Sequence, residues 1–402
     1  MKPSETHAVL DHVILGCGAM FDARRAPMAA RVTAHPADDG GAPDPAGLLG
    51  ALAEAWPAES GPLSLNLTSE AWLASLMQAP VPSQLMIEVP AFLAGDPDWA
   101  TQIKQRSEQG LSLVLKGRPL SPLPAELMTC FRYAIVDRAD DRRGTATPSP
   151  GAVRALPFVQ SGNANPAEAG DSFKRGAQAV LGWPLGDHPD GSKPKKGVPS
   201  SVAVVMDLIQ RVEREEPAAK LEAVLRSDPS LAFRLMRFIN SPGFGLSVEI
   251  NSFQHALMML GYSRLKRWLA LLVTSAVDDP DLKPLMFLAV RRGLLMEELA
   301  RAQGDESTRN EVFICGVFSL LDRMLGQTFG QLLGSLPVPE RVAQALVDGE
   351  GPYQPYLDLA MAVEMESPID IRDATDAMML ACGDVNRAAL GAMSAARQLR
   401  AE

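Results

Sequence analysis

The stretch PLSLNLTSEAWLASLMQAPVPSQLMIEVP, residues 62–90, decides the fold class of the N-terminal half. It holds two apolar runs of β-type composition, residues 62–68 and 84–90, on either side of a helical stretch at residues 70–78. Strands that alternate with helices are typical of parallel β-α units, because a parallel connection must cross back over the sheet. This stretch therefore predicts an α/β domain.

The same alternation extends along the rest of this half. Further strands are predicted at residues 12–18, 28–34, 111–117, 133–137, 155–161 and 179–185, and further helices at residues 46–56, 97–109 and 164–177. Eight strands of this kind predict a closed barrel. The connection after the sixth strand, RADDRRGTATPSPG (138–151), is too rich in Pro and Gly for a good helix. We therefore expect an irregular (β/α)8 TIM-like barrel.

Composition limits the class of protein. The chain has 402 residues, 47% of them apolar, and this length predicts two globular domains. A net charge of −10 argues against nucleic acid as a partner, because phosphate binding needs a basic surface. We find no apolar run of membrane-spanning length and no signal-peptide core, and the four cysteines show no CxxC spacing. These features predict a cytoplasmic protein with reduced thiols.

The domains are predicted to meet at a polar linker. LGDHPDGSKPKKGVPSS (185–201) contains three Pro, three Gly and three Lys and few residues that need burial. Beyond it, apolar residues follow helical spacing to the end of the chain. We predict a barrel domain at residues 1–188, a linker at 189–198 and an all-helical domain at 199–402.

The barrel half resembles the EAL domain, which hydrolyses cyclic di-GMP. The resemblance rests on GAMFD (18–22), LSLNLT (63–68) and MIEV (86–89). It implies that Asn66 and Glu88 occupy metal-binding positions and that Asp137 ends the sixth strand.

Other family positions depart from the pattern. Ala-Ala-Arg-Val (29–32) stands where Glu-Ala-Leu belongs, Leu115-Lys116-Gly117 where two Asp belong, and Ile135 near the catalytic Lys. The late Glu falls within Pro157-Phe158-Val159 and the final Gln near Leu181. Two-metal hydrolysis needs several carboxylates around shared cations, so we expect a degenerate, non-catalytic barrel.

The helical half resembles the HDOD domain, a regulatory module related to HD-type metal phosphohydrolases. The resemblance rests on RSDPSLAFRLMRFINSPGFGLSVEINSFQHALMMLGYSRLKRWL (226–269). In HD enzymes the helix corresponding to GVFSLLDRMLG (316–326) carries a His-Asp pair, whereas this chain has Ser319-Leu320 there and Leu288 near the earlier His. Ser and Leu cannot replace these metal ligands, so we expect neither metal nor cofactor. We interpret Ser319 as a small residue for close helix packing, and Asp322 as a partner of a backbone or basic group.

A basic surface in the helical half has two open interpretations. It is either an interaction surface or an ordinary solvated helix face, and its members are Arg264, Lys266, Arg267, Arg291 and Arg292. Phe244, in a turn flanked by glycines, is either an exposed recognition residue or packs over a helix end.

Together the two resemblances imply a signal-transduction protein of the EAL–HDOD type. We expect it to be no enzyme and to regulate other signalling proteins, including regulators of cyclic di-GMP, through protein–protein contacts. The alternatives are a cyclic di-GMP phosphodiesterase that uses Asn66, Glu88 and Asp137, and a receptor that binds cyclic di-GMP without hydrolysis. The sequence leaves a homodimer open.

Overall fold

A computed structural model describes residues 8–37, 44–141, 156–189, 200–226, 253–275, 280–301, 304–333 and 338–398. Phe244, nearly all of the predicted linker 189–198, and most of the connection 138–151 lie outside these ranges. The chain folds into two compact units. The barrel unit comprises Met1–Gly186 and Ala362–Gly391, and the helical unit comprises Asp187–Met361 and Ala392–Glu402. Residues 362–391, which the sequence places in the helical domain, thus belong to the barrel unit.

The barrel unit contains a closed barrel of eight strands in sequential order. The strands are β1 (Val13–Asp22), β2 (Pro27–Pro36), β3 (Leu63–Leu67), β4 (Leu85–Pro90), β5 (Ser112–Lys116), β6 (Phe131–Asp137), β7 (Phe158–Ser161) and β8 (Ala179–Leu181). Each overlaps a strand predicted from the apolar runs.

The direction of β1 differs from an all-parallel barrel. It pairs antiparallel with both β2 and β8, whereas the pairs from β2 to β8 are parallel. Only four residues separate β1 from β2, and the turn is closed by hydrogen bonds from Arg25 and Ala26 to Asp22. A parallel connection needs a dozen or more residues, so this link can only form a hairpin.

Among the described residues, six helices follow strands of the barrel unit; four of them match predicted helices, and the short ones at Ala91–Ala94 and Ala125–Met128 are not predicted. They are α1 (Pro45–Ala55), α2 (Glu70–Leu76), α3 (Ala91–Ala94), α4 (Pro97–Glu108), α5 (Ala125–Met128) and α6 (Pro166–Lys174), with 3-10 turns at Val9–His12 and Ala58–Ser60. Four begin with a side-chain cap, supplied by Asp44, Ser69, Asp96 and Asn165. Each cap satisfies amide groups that the first helical turn leaves unpaired.

The C-terminal part of the barrel unit packs on the start of the barrel. Within it lie α16 (Pro368–Ala377) and the first half of α17 (Cys382–Gln398). Asn386 is buried, and its amide donates to the carbonyls of Leu10 and Val13 at 2.8 and 2.7 Å and accepts from the amide of Leu15 at 3.0 Å. One side chain thus satisfies three backbone groups that sequence places more than 370 residues away.

The barrel interior is layered. One end is filled by an apolar cluster of Met20, Ala29, Met86, Val114, Tyr133, Ile135, Val159 and Ala179. Further along the same strands, towards the carboxyl ends of the parallel ones, the buried side chains become polar. They are Arg31 and Thr33 of β2, Ser64 and Asn66 of β3, and Glu88 of β4.

The helical unit is built of short helices around a separate core. They are α7 (Ser200–Glu213), α8 (Ala218–Arg226), α9 (Phe253–Ser275), α10 (Lys283–Leu299), α11 (Glu306–Phe318), α12 (Leu321–Leu325), α13 (Phe329–Leu332), α14 (Glu340–Ala343) and α15 (Gln354–Glu364), with a 3-10 turn at Pro280–Leu282 and a π-helical turn at Gln344–Asp348. Gly261, with φ +71°, breaks α9 into two segments.

Two glycines set a close helix approach in this unit. A Cβ atom on Gly316 of α11 would lie 2.6 Å from the amide nitrogen of Gly293 in α10, and one on Gly293 would lie 2.9 Å from the carbonyl of Phe313. Only glycine permits the two backbones to approach so closely. Across the described ranges, no helix combines the length and apolar character needed to cross a membrane.

Candidate functional site

The polar layer of the barrel is centred on the carboxylate of Glu88, which is 1% exposed. Arg31 binds it in a bidentate manner, with Nε to Oε1 and Nη2 to Oε2 both at 2.8 Å. The Ser64 hydroxyl donates to the same Oε1 at 2.8 Å. Side chains of β2, β3 and β4 meet here because residues 31, 64 and 88 all point to the barrel interior. Both oxygens of Glu88 are therefore occupied by protein donors.

A second cation lies one layer further along the strands. Lys116, the last residue of β5, donates from Nζ to the Oδ1 atom of Asn66 at 2.9 Å. The Nδ2 atom of Asn66 donates to the Thr33 hydroxyl oxygen at 3.1 Å. Burial and the nearby guanidinium of Arg31 lower the pKa of Lys116. Burial, Lys116 and Arg31 likewise lower the pKa of His35.

The remaining donors of this layer point to Glu366. Its Oε2 atom accepts from Nη1 of Arg31 at 2.8 Å and from the Thr33 hydroxyl. Burial by itself would lower the pKa of Arg31, but the carboxylates of Glu88 and Glu366 outweigh it, and the pKa is raised. The guanidinium is therefore a permanent charge that bridges two carboxylates.

This donor set does not fit the divalent cations that the EAL resemblance implies. A cation at Glu88 would have to displace Arg31 from both carboxylate oxygens, and a cation at Asn66 would face the ammonium of Lys116. Two unit charges 4 Å apart repel by about 4 kcal/mol at an effective dielectric constant near 20, and a divalent ion doubles this. Among the described residues, no group of three or more His, Cys, Asp and Glu side chains is placed to hold a metal ion.

Asp137, the third position implied by the resemblance, bonds at its own strand end. Its Oδ1 atom accepts from the amide of Ala139 at 2.9 Å and its Oδ2 atom from the Ser161 hydroxyl at 3.3 Å. These contacts are those of a residue that caps a turn. The structure thus brings Asn66 and Glu88 into one network and places Asp137 in another.

In the helical unit, Ser319 and Asp322 are buried, at 5% and 1% exposure. The Ser319 hydroxyl donates to the carbonyl of Gly316 at 2.7 Å and accepts from Nη1 of Arg292 at 3.2 Å. The close helix packing expected of Ser319 is made by Gly316. Ser319 instead serves as a hydrogen-bond partner of a buried arginine.

Asp322 pairs with a basic group, as the sequence interpretation expects. Its Oδ2 atom lies 2.7 Å from Nδ1 of His188, and Nε2 of His188 lies 2.9 Å from Nη2 of Arg323. The neutral imidazole with its proton on Nδ1 satisfies both contacts, since Nε2 then accepts from the guanidinium. His188 is 69% exposed at its side chain and comes from the segment that the sequence assigns to the end of the barrel domain.

The candidate basic surface contains two kinds of residue. Arg291 and Arg292 are 2% and 3% exposed, so they do not contribute to a surface. The other three each face a carboxylate: Arg264 pairs with Glu306 at 3.3 Å, Lys266 with Glu213, and Arg267 with Glu297. Arg267 also lies over the ring of Phe313, 3.9 Å from its centroid. These side chains form local ion pairs and leave no unpaired basic patch among themselves.

Sequence reasoning misses four residues of the barrel network, which are Arg31, Thr33, Ser64 and Glu366. Arg31 is named from the sequence only as part of the stretch 29–32, which lacks the Glu of the EAL family. A basic residue at an inward-facing strand position is nevertheless a signal for a buried carboxylate partner. Glu366 gives no signal, because 335 residues separate it from Arg31.

Comparisons with known proteins find two curated relatives, each similar to this chain over part of its length. A cyclic di-GMP phosphodiesterase, CdgJ of Vibrio cholerae serotype O1, is 32% identical over 162 residues, covering 40% of this chain and 38% of that protein. The uncharacterized protein YuxH of Bacillus subtilis (strain 168) is 29% identical over 162 residues, covering 39% of each chain. The chain thus covers just under two-fifths of the length of either relative.

Solved structures give a weaker likeness. The PaMucR phosphodiesterase in complex with c-di-GMP is 14% identical, with a TM-score of 0.30 over 42% of this chain and 94% of that one. The calcium and cyclic di-GMP complex of BlrP1 from Klebsiella pneumoniae is 18% identical, with a TM-score of 0.33 over 45% of this chain and 56% of that one. TM-scores this low do not establish a shared fold. Residues 198–328 match the family model of the HDOD domain, and the chain therefore contains an HDOD domain over this range.

Proposed function

We propose that this protein is a non-catalytic regulator in cyclic di-GMP signalling, made of a degenerate EAL-like barrel joined to an HDOD domain. It would act through binding to other signalling proteins and without bond chemistry. The observation that carries the proposal is the bidentate contact of Arg31 with Glu88. The permanently charged guanidinium lies against the carboxylate that the EAL resemblance assigns to a metal-binding position.

The chemistry of the barrel layer supports this proposal. Hydrolysis of a phosphodiester by an EAL-type site depends on metal-activated water, and that requires carboxylates free to bind cations. Here Glu88 is taken by Arg31 and Ser64, and Asn66 by Lys116. The second carboxylate of the layer, Glu366, is likewise taken by Arg31 and Thr33.

The HDOD domain supports a binding role in a different way. At the position of the family's His-Asp pair, Ser319 and Leu320 are buried, at 5% and 0% exposure. A buried hydroxyl bonded to Arg292 and Gly316 offers no ligand to a metal ion. We assign this stretch to the core of the domain.

The alternative is hydrolysis of cyclic di-GMP, the activity named for the Vibrio cholerae relative. The test is to incubate the full chain with cyclic di-GMP and Mg²⁺ or Mn²⁺ and to measure linear product by chromatography. We expect no turnover above a control without protein. Glu88→Gln keeps the side-chain shape and Glu126→Gln, at an exposed surface pair, is its matched control. Turnover that Glu88→Gln abolishes and Glu126→Gln retains would establish a phosphodiesterase and refute the proposal.

A further inference from the structure

The carboxylate of Glu366 occupies a position inside the barrel unit that suits an external anion. It belongs to the turn between α15 and α16, which is part of the barrel unit. Its side chain reaches the polar layer and accepts from Arg31 and Thr33 of β2. The contact is at the carboxyl-terminal side of the parallel strands, where barrels of this class bind their ligands.

The backbone of this turn is held in an uncommon conformation. Glu366 has φ +56°, in the left-handed region that residues with a side chain rarely adopt. Two glycines of β1 make room for it. A Cβ atom on Gly16 would lie 2.5 Å from the Cα of Glu366, and one on Gly18 would lie 2.4 Å from its Oε1. The sequence thus combines a strained glutamate with two glycines that accommodate it.

The charge balance of the layer depends on Glu366. Arg31 and Lys116 supply two positive charges, and Glu88 and Glu366 supply two negative ones. If Glu366 leaves, Glu88 compensates Arg31 but nothing in the network compensates Lys116. One guanidinium N–H and the Thr33 hydroxyl then also lose their acceptor. A half-buried site with excess positive charge and unpaired donors favours an anion.

We infer that Arg31 and Thr33 form an anion-binding site that Glu366 occupies from within the chain, and that a ligand bearing a phosphate group replaces this carboxylate when the turn moves away. Phosphate oxygens and carboxylate oxygens accept the same charge-assisted hydrogen bonds from a guanidinium. The inference rests on the proposed function in one respect, since the layer has to use Arg31 in place of metal. Binding of such a ligand at Arg31 and Thr33 would therefore displace the turn at residues 365–367.

The structure offers a sharp variant for testing this inference. Glu366→Gly removes the carboxylate and suits the left-handed backbone, so the turn keeps its conformation. Met379→Gly is the matched control, because Met379 has φ +53° and an exposed side chain in the same unit. Inorganic phosphate and cyclic di-GMP are each titrated into the full chain by calorimetry, and circular dichroism checks the fold of each variant.

We expect Glu366→Gly to bind at least one of the two ligands about tenfold more tightly than the wild type, the gain given by one additional charge-assisted hydrogen bond. Met379→Gly should bind as the wild type does. Adding Thr33→Val to Glu366→Gly should remove most of the gain. A gain for inorganic phosphate, with or without a gain for cyclic di-GMP, assigns the site to simple phosphate, and a gain for cyclic di-GMP alone assigns it to the nucleotide. Both results support the inference.

An unchanged affinity for both ligands in a folded Glu366→Gly protein would overturn the inference, as would an equal gain in Met379→Gly. If Glu366→Gly does not fold, Glu366→Gln keeps the side-chain volume, removes the charge and is judged by the same criteria. The proposed function is refuted by a different measurement, the appearance of linear product from cyclic di-GMP. A protein that hydrolyses nothing and gains no affinity keeps the proposed function and loses only this inference.

Discussion

The positions at which the two family resemblances place metal ligands are filled differently in the barrel and in the helical unit. In the barrel, charges are kept and compensated by other charges, so that Arg31 holds both Glu88 and Glu366. In the helical unit, the position that the HDOD resemblance aligns with the His-Asp pair of HD enzymes is filled by Ser319 and Leu320, which belong to the core. Removing one member of a buried charge network is strongly destabilising, because its partner is left buried and unpaired. A closely packed core is instead destabilised by substitutions that add side-chain volume. Different kinds of substitution should therefore destabilise the two units.

The largest effect is expected for Arg31→Ala. It leaves the Glu88 carboxylate buried with Ser64 as its remaining donor, and removal of one partner of a buried pair costs about 3–5 kcal/mol. Unfolding by urea can be followed through tryptophan fluorescence. Four of the five tryptophans, Trp56, Trp72, Trp99 and Trp183, lie in the barrel unit.

The matched control for this substitution is Arg387→Ala. Arg387 also pairs with a carboxylate in the barrel unit, but its partner Asp384 is 63% exposed at its side chain. Exposed pairs contribute about 1 kcal/mol or less. Equal, small losses in both variants would show that the barrel network is not a source of stability and that the contrast between the units is mistaken.

A smaller effect is expected for Gly316→Ala in the helical unit. The added methyl group would lie 2.6 Å from the amide nitrogen of Gly293, so α10 and α11 must move apart. Overpacking of this kind costs about 1–3 kcal/mol. The measurement is the thermal transition of the helical circular dichroism signal.

Gly330→Ala is the control for that experiment, because a Cβ atom at this helical glycine meets nothing within 4 Å. We expect no loss there, since alanine favours a helix over glycine by about 1 kcal/mol. A loss of the same size at both positions would mean that helix packing at Gly316 is not the cause.

Local sequence patterns predict the elements well and the network poorly. The strand that ends in LSLNLT and the helix that follows it match β3 and α2 because alternation, capping residues and turn residues are all local. The antiparallel direction of β1 is not predicted. The nine residues between the predicted strands 12–18 and 28–34 are nevertheless fewer than the dozen that a parallel crossover needs, so the length of this link is a local signal for a hairpin.

The pairing of Glu366 with Arg31 is a different kind of failure. No periodicity connects two residues 335 positions apart, and a glutamate after a helix is ordinarily a solvated residue. The local signs are Gly16 and Gly18 in β1, which indicate a close backbone approach without naming the residue that approaches. Long-range charge pairs inside a barrel have to be observed in three dimensions.

The smallest effect is expected in a labelling experiment that needs no substitution and tests whether the core of the helical unit is closed to solvent. Cys315 of α11 is fully buried, and burial raises the pKa of its thiol to about 12. Since the thiolate is the reactive form, the raised pKa and the burial of the thiol both slow its alkylation. Iodoacetamide should therefore label Cys130 and Cys382, which are partly exposed, well before Cys315. Peptide mass spectrometry gives the rates, and in urea all four cysteines should react alike. Native labelling of Cys315 as fast as that of Cys130 would show that this core opens readily, and the contrast with the charged barrel layer would then fail.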